Sequence, residues 1–472
     1  MKKTATIAYA GTGIMLLAAA FIMLAQPFSA DLSDTAHFML GGILITLGIW
    51  VFKPFNLPYA VGGLFLALFS LITGLAPALV FSGLTQPAIW TLIPALFFGF
   101  VLQKTGLGNR IALTIVKLCR PSYASLVFAW VFIGLILSVL TPSITVRVAI
   151  VIPIAVQCCE LCKIKKGSKG NALILLTAFA MALIPGSGWL SGLLAGPIIQ
   201  GMYNATPGIE GIVTFNSWFN IMFLPMMLIT VLVAVGSLIV LKPDEPLSKD
   251  VIDKVKKQPL EKMSFHEIIS AIILVIVFLM FLTNRFHGIP DAAVCLAAVF
   301  LFFLLGILEP KDFNAGVNWD LVIFIGMALS LGAIFTGTGI SQWLAGIVVP
   351  ALAPIAGNPW LFMFCVMISM FLWRFVDVAT FIPTMAIMIP ILPKIQAAYN
   401  INPLVWIPVF VMAQNIFFMA YQNIWAMMTQ TIAGDRAWDN KQLGLYGVLY
   451  CAACLAALSV VIPGWIQAGF FG

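Results

Sequence analysis

Charged side chains are scarce in this sequence. Asp, Glu, Lys and Arg make up 9% of its 472 residues, whereas 62% of the residues are hydrophobic. A soluble domain carries about 25% charged residues, and no stretch between the apolar runs is long enough for a separate soluble domain. The composition therefore predicts one polytopic, all-α membrane domain. The formal net charge of +7 is assigned to cytoplasmic loops by the positive-inside rule, so no nucleic-acid partner is expected.

Clusters that could perform catalysis or hold a metal ion are also lacking. The three histidines, His37, His266 and His287, are scattered near the ends of apolar segments. The eight cysteines lie mostly inside apolar runs, where a thiol packs as a small hydrophobic group. No Ser/His/Asp or Cys/His constellation is present. We therefore expect a protein that is not an enzyme and that uses neither a cofactor nor a metal ion.

A polar stretch, residues 141–147, lies between two apolar runs of about 10–15 residues. Each run is shorter than the roughly 20 residues of a spanning helix, so the pair predicts a re-entrant hairpin of two half-spanning arms. Its tip carries Ser143, Thr145 and Arg147. An ionisable residue at membrane depth is a functional-site hypothesis, and we expect these three side chains to bind an anion. Alternatively, Arg147 pairs with a main-chain carbonyl or snorkels to the surface, and the hydroxyls cap the second arm.

A further apolar segment, residues 171–203, is interrupted at Ser187, Gly188 and Trp189. Such an interruption predicts a discontinuous helix, the device by which transporters expose main-chain ends to a substrate. We therefore expect these three residues to contact substrate. The alternative for Gly188 is helix packing, the commoner use of glycine in membrane helices.

The order of segments recurs in the second half of the chain. Thr105-Gly106-Leu107 reappears 233 residues later as Thr338-Gly339-Ile340, and the apolar motif at 151–154 reappears 237 residues later. Two halves with the same order predict inverted-topology repeats, each with a re-entrant hairpin and a discontinuous helix.

These repeats set the expected domain boundaries. We predict an N-terminal transmembrane helix at 1–35, a first repeat at 36–241, a cytoplasmic linker loop at 242–264 and a second repeat at 265–472. With the N-terminus in the cytoplasm, most of the 24 Lys and Arg side chains fall on the cytoplasmic side. The predicted location is a bacterial inner (plasma) membrane, crossed many times.

The second half carries polar positions of its own. Arg374, Asp377 and Thr380 interrupt its hairpin, and Gln422 and Asn423 interrupt its discontinuous helix. Arg374 and Asp377 are three residues apart, so on a helix they would share a face and could pair. The other interpretation makes Arg374 a second anion contact and Asp377 the carrier of the coupling ion, a proton. Thr380, Gln422 and Asn423 are further candidates for substrate contacts.

The motif at the first tip resembles that of a known family. Ser143-Ile144-Thr145 lies ten residues before Pro153, and Pro142, Ser143, Thr145 and Arg147 follow the Pro-Ser-Asn-Thr-Ala-Arg pattern. The sequence thus resembles the divalent anion:sodium symporter (DASS) family of the ion transporter superfamily, and most of all its citrate and dicarboxylate exchanger branch. The resemblance implies a homodimer with a fixed scaffold domain and a transport domain that moves as an elevator.

The sequence departs from the family pattern where the family shapes its sodium sites. Ile144 stands where the family has asparagine. The second motif is either residues 380–382, with neither the asparagine nor the final threonine, or residues 378–380. These departures favour exchange or proton coupling over sodium symport.

Together these observations predict a secondary active transporter that works by alternating access. Its cargo is a small anion; the family resemblance favours a di- or tricarboxylate, and sulfate or a sulfonate are further candidates. The expected partners are this anion, the lipid membrane and a proton or counter-anion, and the resemblance adds a second copy of the chain. The alternative is a cation/proton antiporter of the same superfamily that uses Asp377.

Overall fold

The computed structural model describes residues 2–120, 122–243, 247, 262–377 and 381–472. Across these residues the regular elements are helices, joined by short turns and one isolated antiparallel bridge between Ile401 and Phe471. Most of the predicted linker, 242–264, lies outside the described residues, and so does Thr380.

Ten helices of seven residues or more lie in the described part of the first half. They are α1 (Lys2–Ala25), α2 (Asp34–Phe52), α3 (Tyr59–Ile72), α4 (Pro87–Thr105), α5 (Leu107–Lys117), α6 (Tyr123–Leu140), α7 (Ile144–Leu161), α8 (Lys169–Leu183), α9 (Ala195–Asn204) and α10 (Phe215–Val240). Shorter helical turns occur at Pro54–Asn56, Pro77–Val80, Ser82–Thr85, Pro185–Gly188 and Leu190–Gly192.

Ten more such helices lie in the described part of the second half. They are α11 (Phe265–Leu282), α12 (Asp291–Leu304), α13 (Trp319–Thr338), α14 (Ile340–Ala356), α15 (Pro359–Trp373), α16 (Ile382–Met388), α17 (Leu392–Tyr399), α18 (Trp406–Gln414), α19 (Ile424–Ala433) and α20 (Asn440–Gln467). Shorter turns occur at Asn284–His287, Asp312–Ala315, Ile389–Ile391, Pro403–Val405, Ala420–Gln422 and Gly434–Arg436.

The helices repeat in order. After α1, the series α2 to α10 is matched by α11 to α20, with the second arm of the later hairpin divided into α16 and α17 by the turn at Ile389–Ile391. The matched glycines show the repeat most directly. Gly106 ends α4 with φ 78° and Gly339 ends α13 with φ 79°, a left-handed conformation that glycine adopts without a Cβ penalty. The predicted correspondence of these two motifs is confirmed.

Within the described residues, nine helical segments are long and apolar enough to cross a membrane. They comprise α2, α4, α6, α7, α8 with its following turn, α10, α11, α13 and α20. The prediction of a polytopic, all-helical membrane protein is confirmed. The predicted length of the first hairpin's arms was wrong, because α6 and α7 each have 18 residues. Helix continues into the more polar residues at the far end of each arm.

The discontinuous helices lie at the centre of the molecule. Every residue of Gly170–Leu183 in α8 and every residue of α18 is buried, which explains why both segments are apolar on all faces. Helices α6, α7, α10 and α20 pack around α8. A second group forms where α3 packs against α2 and α13. The candidate site lies between these two groups.

Candidate functional site

The first break separates α8 from α9 and consists of two short turns. Arg147 of the first tip points into it: its side chain is 0% exposed, and Nη2 donates to the main-chain oxygen of Gly192 at 2.9 Å. Nε and Nη1 have no hydrogen-bond partner among the described residues. A Cβ on Gly186 would lie 2.2 Å from Nη1. The break therefore needs glycine at 186 to admit the guanidinium.

Ser187 and Trp189, two of the three residues predicted from the first break, form hydrogen bonds within the protein. Ser187 Oγ accepts a hydrogen bond from Asn415 Nδ2 at 3.0 Å, and the Ser187 carbonyl accepts one from Trp218 Nε1 at 3.2 Å. Trp189 Nε1 donates to the Ser138 carbonyl at 3.0 Å. All of Ser187, Gly188 and Trp189 are buried. Their contact with a substrate stays a prediction.

The two hydroxyls of the first tip have different surroundings. Ser143 caps α7, where its Oγ accepts from the Val146 N–H at 3.3 Å. Thr145 is exposed, and its Oγ1 accepts from Trp425 Nε1 of α19 at 3.1 Å. The capping alternative describes Ser143, whereas Thr145 links the first tip to the second break.

Arg374 begins the second tip, directly after α15. Its side chain is 1% exposed, and its two terminal nitrogens donate to the main-chain oxygens of Asp377 and Gln422. Its Cζ lies 5.6 Å from the ring centroid of Phe381. Because Gln422 belongs to the second break, Arg374 joins tip to break in the second half as Arg147 does in the first.

The carboxylate of Asp377 bonds to threonine and not to Arg374. Oδ2 accepts from Thr384 Oγ1 at 2.6 Å and from the Thr384 N–H at 3.3 Å. Oδ1 has no hydrogen bond of ordinary geometry within the described residues, although the Phe381 N–H lies within electrostatic reach. The expected pairing across a helical face does not form, because α15 ends at Trp373 and a turn follows.

Gln422 and Asn423 organise the second break. Gln422 Oε1 accepts from the Met419 N–H at 2.9 Å. Asn423 caps α19, since its Oδ1 accepts from the N–H groups of Trp425 and Ala426 at 3.1 and 3.2 Å. The N-terminus of α19 thereby points at the space beside the first tip, and such an end favours an anion.

These tips and breaks meet around a cavity of about 400 Å³, within the range of small-molecule sites. One side, which we call the tip wall, comprises Thr145, Arg374, Asn423 and Trp425. The other side, which we call the α2–α13 wall, comprises Lys53, Tyr59, Asn318 and Asp320. Among the predicted site residues, Thr145, Arg374 and Asn423 line this cavity. Arg147 does not, so its contact with an anion stays a prediction that this conformation does not display.

The α2–α13 wall was missed by reasoning from the sequence. Lys53 Nζ lies 3.4 Å from the ring centroid of Tyr59, and Asp320 Oδ1 accepts from the Ala60 N–H at 2.6 Å. Partial burial lowers the pKa of Lys53, and Asp320 opposes this effect. The sequence signal was weak: a lysine after an apolar run is what any cytoplasmic helix end shows.

Asn415 was also missed. It is fully buried, and its contact with Ser187 joins the two breaks across 228 residues of sequence. An asparagine within a buried apolar segment was the available signal. The part of the chain that the structure describes contains no group of three or more His, Cys, Asp or Glu side chains that could hold a metal ion.

The comparisons with known proteins agree with this architecture. The profile of the sodium:sulfate symporter transmembrane region matches residues 10–449. The chain belongs to this family. The resemblance to the divalent anion:sodium symporters is thereby confirmed.

Several relatives have names that describe them as transporters of dicarboxylates. Dicarboxylate transporter 1 of Spinacia oleracea chloroplasts is 26% identical over 62% of this chain and 52% of that protein, so the match spans about half the length of that relative. The sodium-dependent dicarboxylate transporter SdcS of Staphylococcus saprophyticus is 23% identical over 86% of this chain and 82% of its own. The L-tartrate/succinate antiporter of Shigella sonnei is 25% identical over 70% of this chain and 67% of its own.

A solved structure supports the fold. The YdaH transporter of Alcanivorax borkumensis aligns over 99% of both chains with a TM-score of 0.58 and 14% sequence identity. At this identity the likeness concerns the fold alone.

Proposed function

We propose that the chain transports a small dicarboxylate across a bacterial inner membrane by alternating access. The observation that carries this proposal is the cavity, in which Thr145 of the first tip, Arg374 of the second tip and Asn423 of the second break face the same space. A buried guanidinium, a hydroxyl and a helix N-terminus are the groups that bind a carboxylate. The dicarboxylate names of three relatives favour this cargo over sulfate or a sulfonate.

In this proposal the first tip positions the site. Arg147 and Ser187 hold the first break in place through bonds to Gly192 and from Asn415. Thr145 then meets Trp425 at the edge of the cavity. Arg147 acts through the break and not on the anion in this conformation.

We further propose that transport proceeds by exchange or with protons, without sodium symport. Each tip carries a fixed guanidinium that donates to a main-chain carbonyl of the facing break. A carbonyl that accepts from arginine has less capacity left for a cation. In the resembled family such carbonyls and neighbouring asparagines shape sodium sites, and Ile144 replaces one of those asparagines here.

The proposed orientation has the N-terminus in the cytoplasm. Helix α1 then crosses the membrane outwards and α2 crosses it back, so the C-terminal end of α2 and Lys53 lie towards the cytoplasm. The same topology puts the ion pairs Lys104–Asp312 and Lys166–Asp435 on that side. Asp312 begins the short turn at Asp312–Ala315, where the Lys104 ammonium lowers the pKa of the Asp312 carboxyl. The homodimer and the elevator movement are part of the proposal.

A cation/proton antiporter is the second candidate. It is favoured by Asp377, a buried carboxylate whose Oδ1 lacks an ordinary hydrogen bond within the described residues. In that case Asp377 carries the ion and an anion has no effect on the protein.

Thermal unfolding against a panel of ligands separates the two candidates. A ligand that binds only the folded protein raises its melting temperature by mass action. We expect succinate or malate to raise the melting temperature of the purified chain in sodium-free buffer. A shift with sodium or with pH alone, and with no anion, would contradict the dicarboxylate proposal and favour the antiporter.

A further inference from the structure

The residues at the end of α2 have an unusual backbone. Lys53, Phe55 and Asn56 have φ of 45°, 56° and 56°, in the left-handed region that side chains other than glycine rarely adopt. Such a conformation costs free energy and persists where the surroundings fix it. Lys53 takes the left-handed position at the end of α2 that glycine commonly occupies. Its side chain lines the cavity.

The Lys53 ammonium is held but not neutralised. It lies over the Tyr59 ring at 3.4 Å from the centroid, a favourable cation–π position. Asp320 acts on it electrostatically, yet no carboxylate lies within 4.0 Å of Lys53 Nζ in the described part of the chain, and no hydrogen bond from Nζ is formed there. The N–H donors that point away from the ring are therefore available to a ligand in the cavity.

The second cation of the cavity is Arg374 of the tip wall. Arg374 lines the tip wall, and both it and Asp320 act electrostatically on Tyr59. Charged groups of both walls therefore act at the Tyr59 ring, over which the Lys53 ammonium lies. A ligand with two carboxylates can meet a cation on each wall, whereas a monocarboxylate can meet one.

We propose that Lys53 binds the second carboxylate of the substrate and makes the protein selective for dianions over monoanions. This inference rests on the proposed dicarboxylate function. Tyr59 positions the ammonium, and Asp320 fixes the start of α3 through the Ala60 N–H. Lysine suits this role because its ammonium is a compact charge with three donors.

The test compares succinate with butyrate, which has the same number of carbons and one carboxylate fewer. Dissociation constants are measured by calorimetry on the full chain in sodium-free detergent solution. The variants are Lys53→Met, which keeps length and loses charge, and Lys53→Arg, which keeps charge. The matched control is Lys163→Met, since Lys163 is exposed and also left-handed at φ 49°.

We expect Lys53→Met to weaken succinate binding by about 10- to 100-fold, the loss of a charged hydrogen bond, and to leave butyrate unchanged. The succinate dissociation constant of Lys53→Arg should stay within about threefold of the wild-type value, because the charge is kept. The constant of Lys163→Met should equal the wild-type value. Equal succinate binding by the Lys53→Met and Lys163→Met variants overturns the role of Lys53 alone. Wild-type protein that binds no dicarboxylate overturns the proposed function, and the role of Lys53 with it.

Discussion

The two hairpin tips form the same kind of contact, but only one of the two arginines lines the cavity. In both, an arginine donates to a main-chain oxygen of the facing break: Arg147 to Gly192 and Arg374 to Gln422. Arg147 lies away from the cavity, whereas Arg374 lines the cavity and lies beside Asp377. The repeat therefore duplicates a way of fixing a broken helix, and one copy of it also faces the cavity.

The largest expected effect separates these two arginines. Arg374→Ala should weaken succinate binding by about 100-fold or more, because it removes the cation of the tip wall and leaves two buried carbonyls without a donor. Arg147→Ala should change the succinate dissociation constant by less than about tenfold and should lower the free energy of unfolding by about 1–3 kcal/mol. Calorimetric titration and thermal unfolding of both variants check this.

The opposite order would break the comparison. If Arg147→Ala abolishes succinate binding in a folded protein while Arg374→Ala retains it, the anion site belongs to the first tip. The retained far-UV circular dichroism of each variant serves as the control for folding.

The next effect concerns the space that the first break leaves for Arg147. Gly186→Ala should destabilise the protein by about 1–3 kcal/mol, because its Cβ would meet Arg147 Nη1 at 2.2 Å and the Gly192 carbonyl at 2.4 Å. The matched control is Gly188→Ala, whose Cβ would meet the flexible end of Met227 at 3.3 Å. Melting temperatures of the two variants should differ by about 1–3 °C. Equal melting temperatures would show that Arg147 does not need the close approach.

A smaller effect is expected at Asp377. Asp377→Asn removes the charge and keeps an oxygen for Thr384, so dicarboxylate exchange in proteoliposomes should fall by less than about tenfold. Complete loss of exchange together with loss of its pH dependence would make Asp377 the carrier of a coupling ion. Thr384→Val, which removes the hydroxyl but not the carboxylate, serves as the comparison variant.

The smallest expected effect is at the link between the halves. Thr145→Val removes the acceptor of Trp425 Nε1 and should cost about 0.5–1.5 kcal/mol of stability. Thr145→Ser keeps that hydroxyl and should match wild type. Unfolding midpoints in a denaturing detergent series measure the difference, and a Thr145→Ser variant as unstable as Thr145→Val would argue against the hydrogen bond.

The sequence predicted the repeat well because the repeat depends on local signals. Gly106 and Gly339 mark helix ends through their own conformations, and Arg147 and Arg374 stand out as charges in apolar runs. It predicted the pairing of Arg374 and Asp377 poorly, since that depended on where α15 ends. Helix ends are the least certain part of a local pattern.

The rest of the site could not be read from the sequence because it is made of distant contacts. Asp320 bonds to Ala60 across 260 residues, and Asn415 bonds to Ser187 across 228. Nothing near Lys53 in the sequence indicates that its ammonium lies over Tyr59 beside the same cavity as Arg374. Only the packing of helices that are distant in the sequence brings these residues together.

The most direct test of the account is exchange of radiolabelled succinate in proteoliposomes that contain the wild-type chain. The vesicles are loaded with unlabelled succinate and suspended in a sodium-free choline buffer at equal pH inside and outside. The account predicts rapid uptake of label that stops when the internal succinate is left out. Uptake that requires added sodium, and that proceeds without internal succinate, would contradict the claim that fixed arginines serve this site without sodium symport.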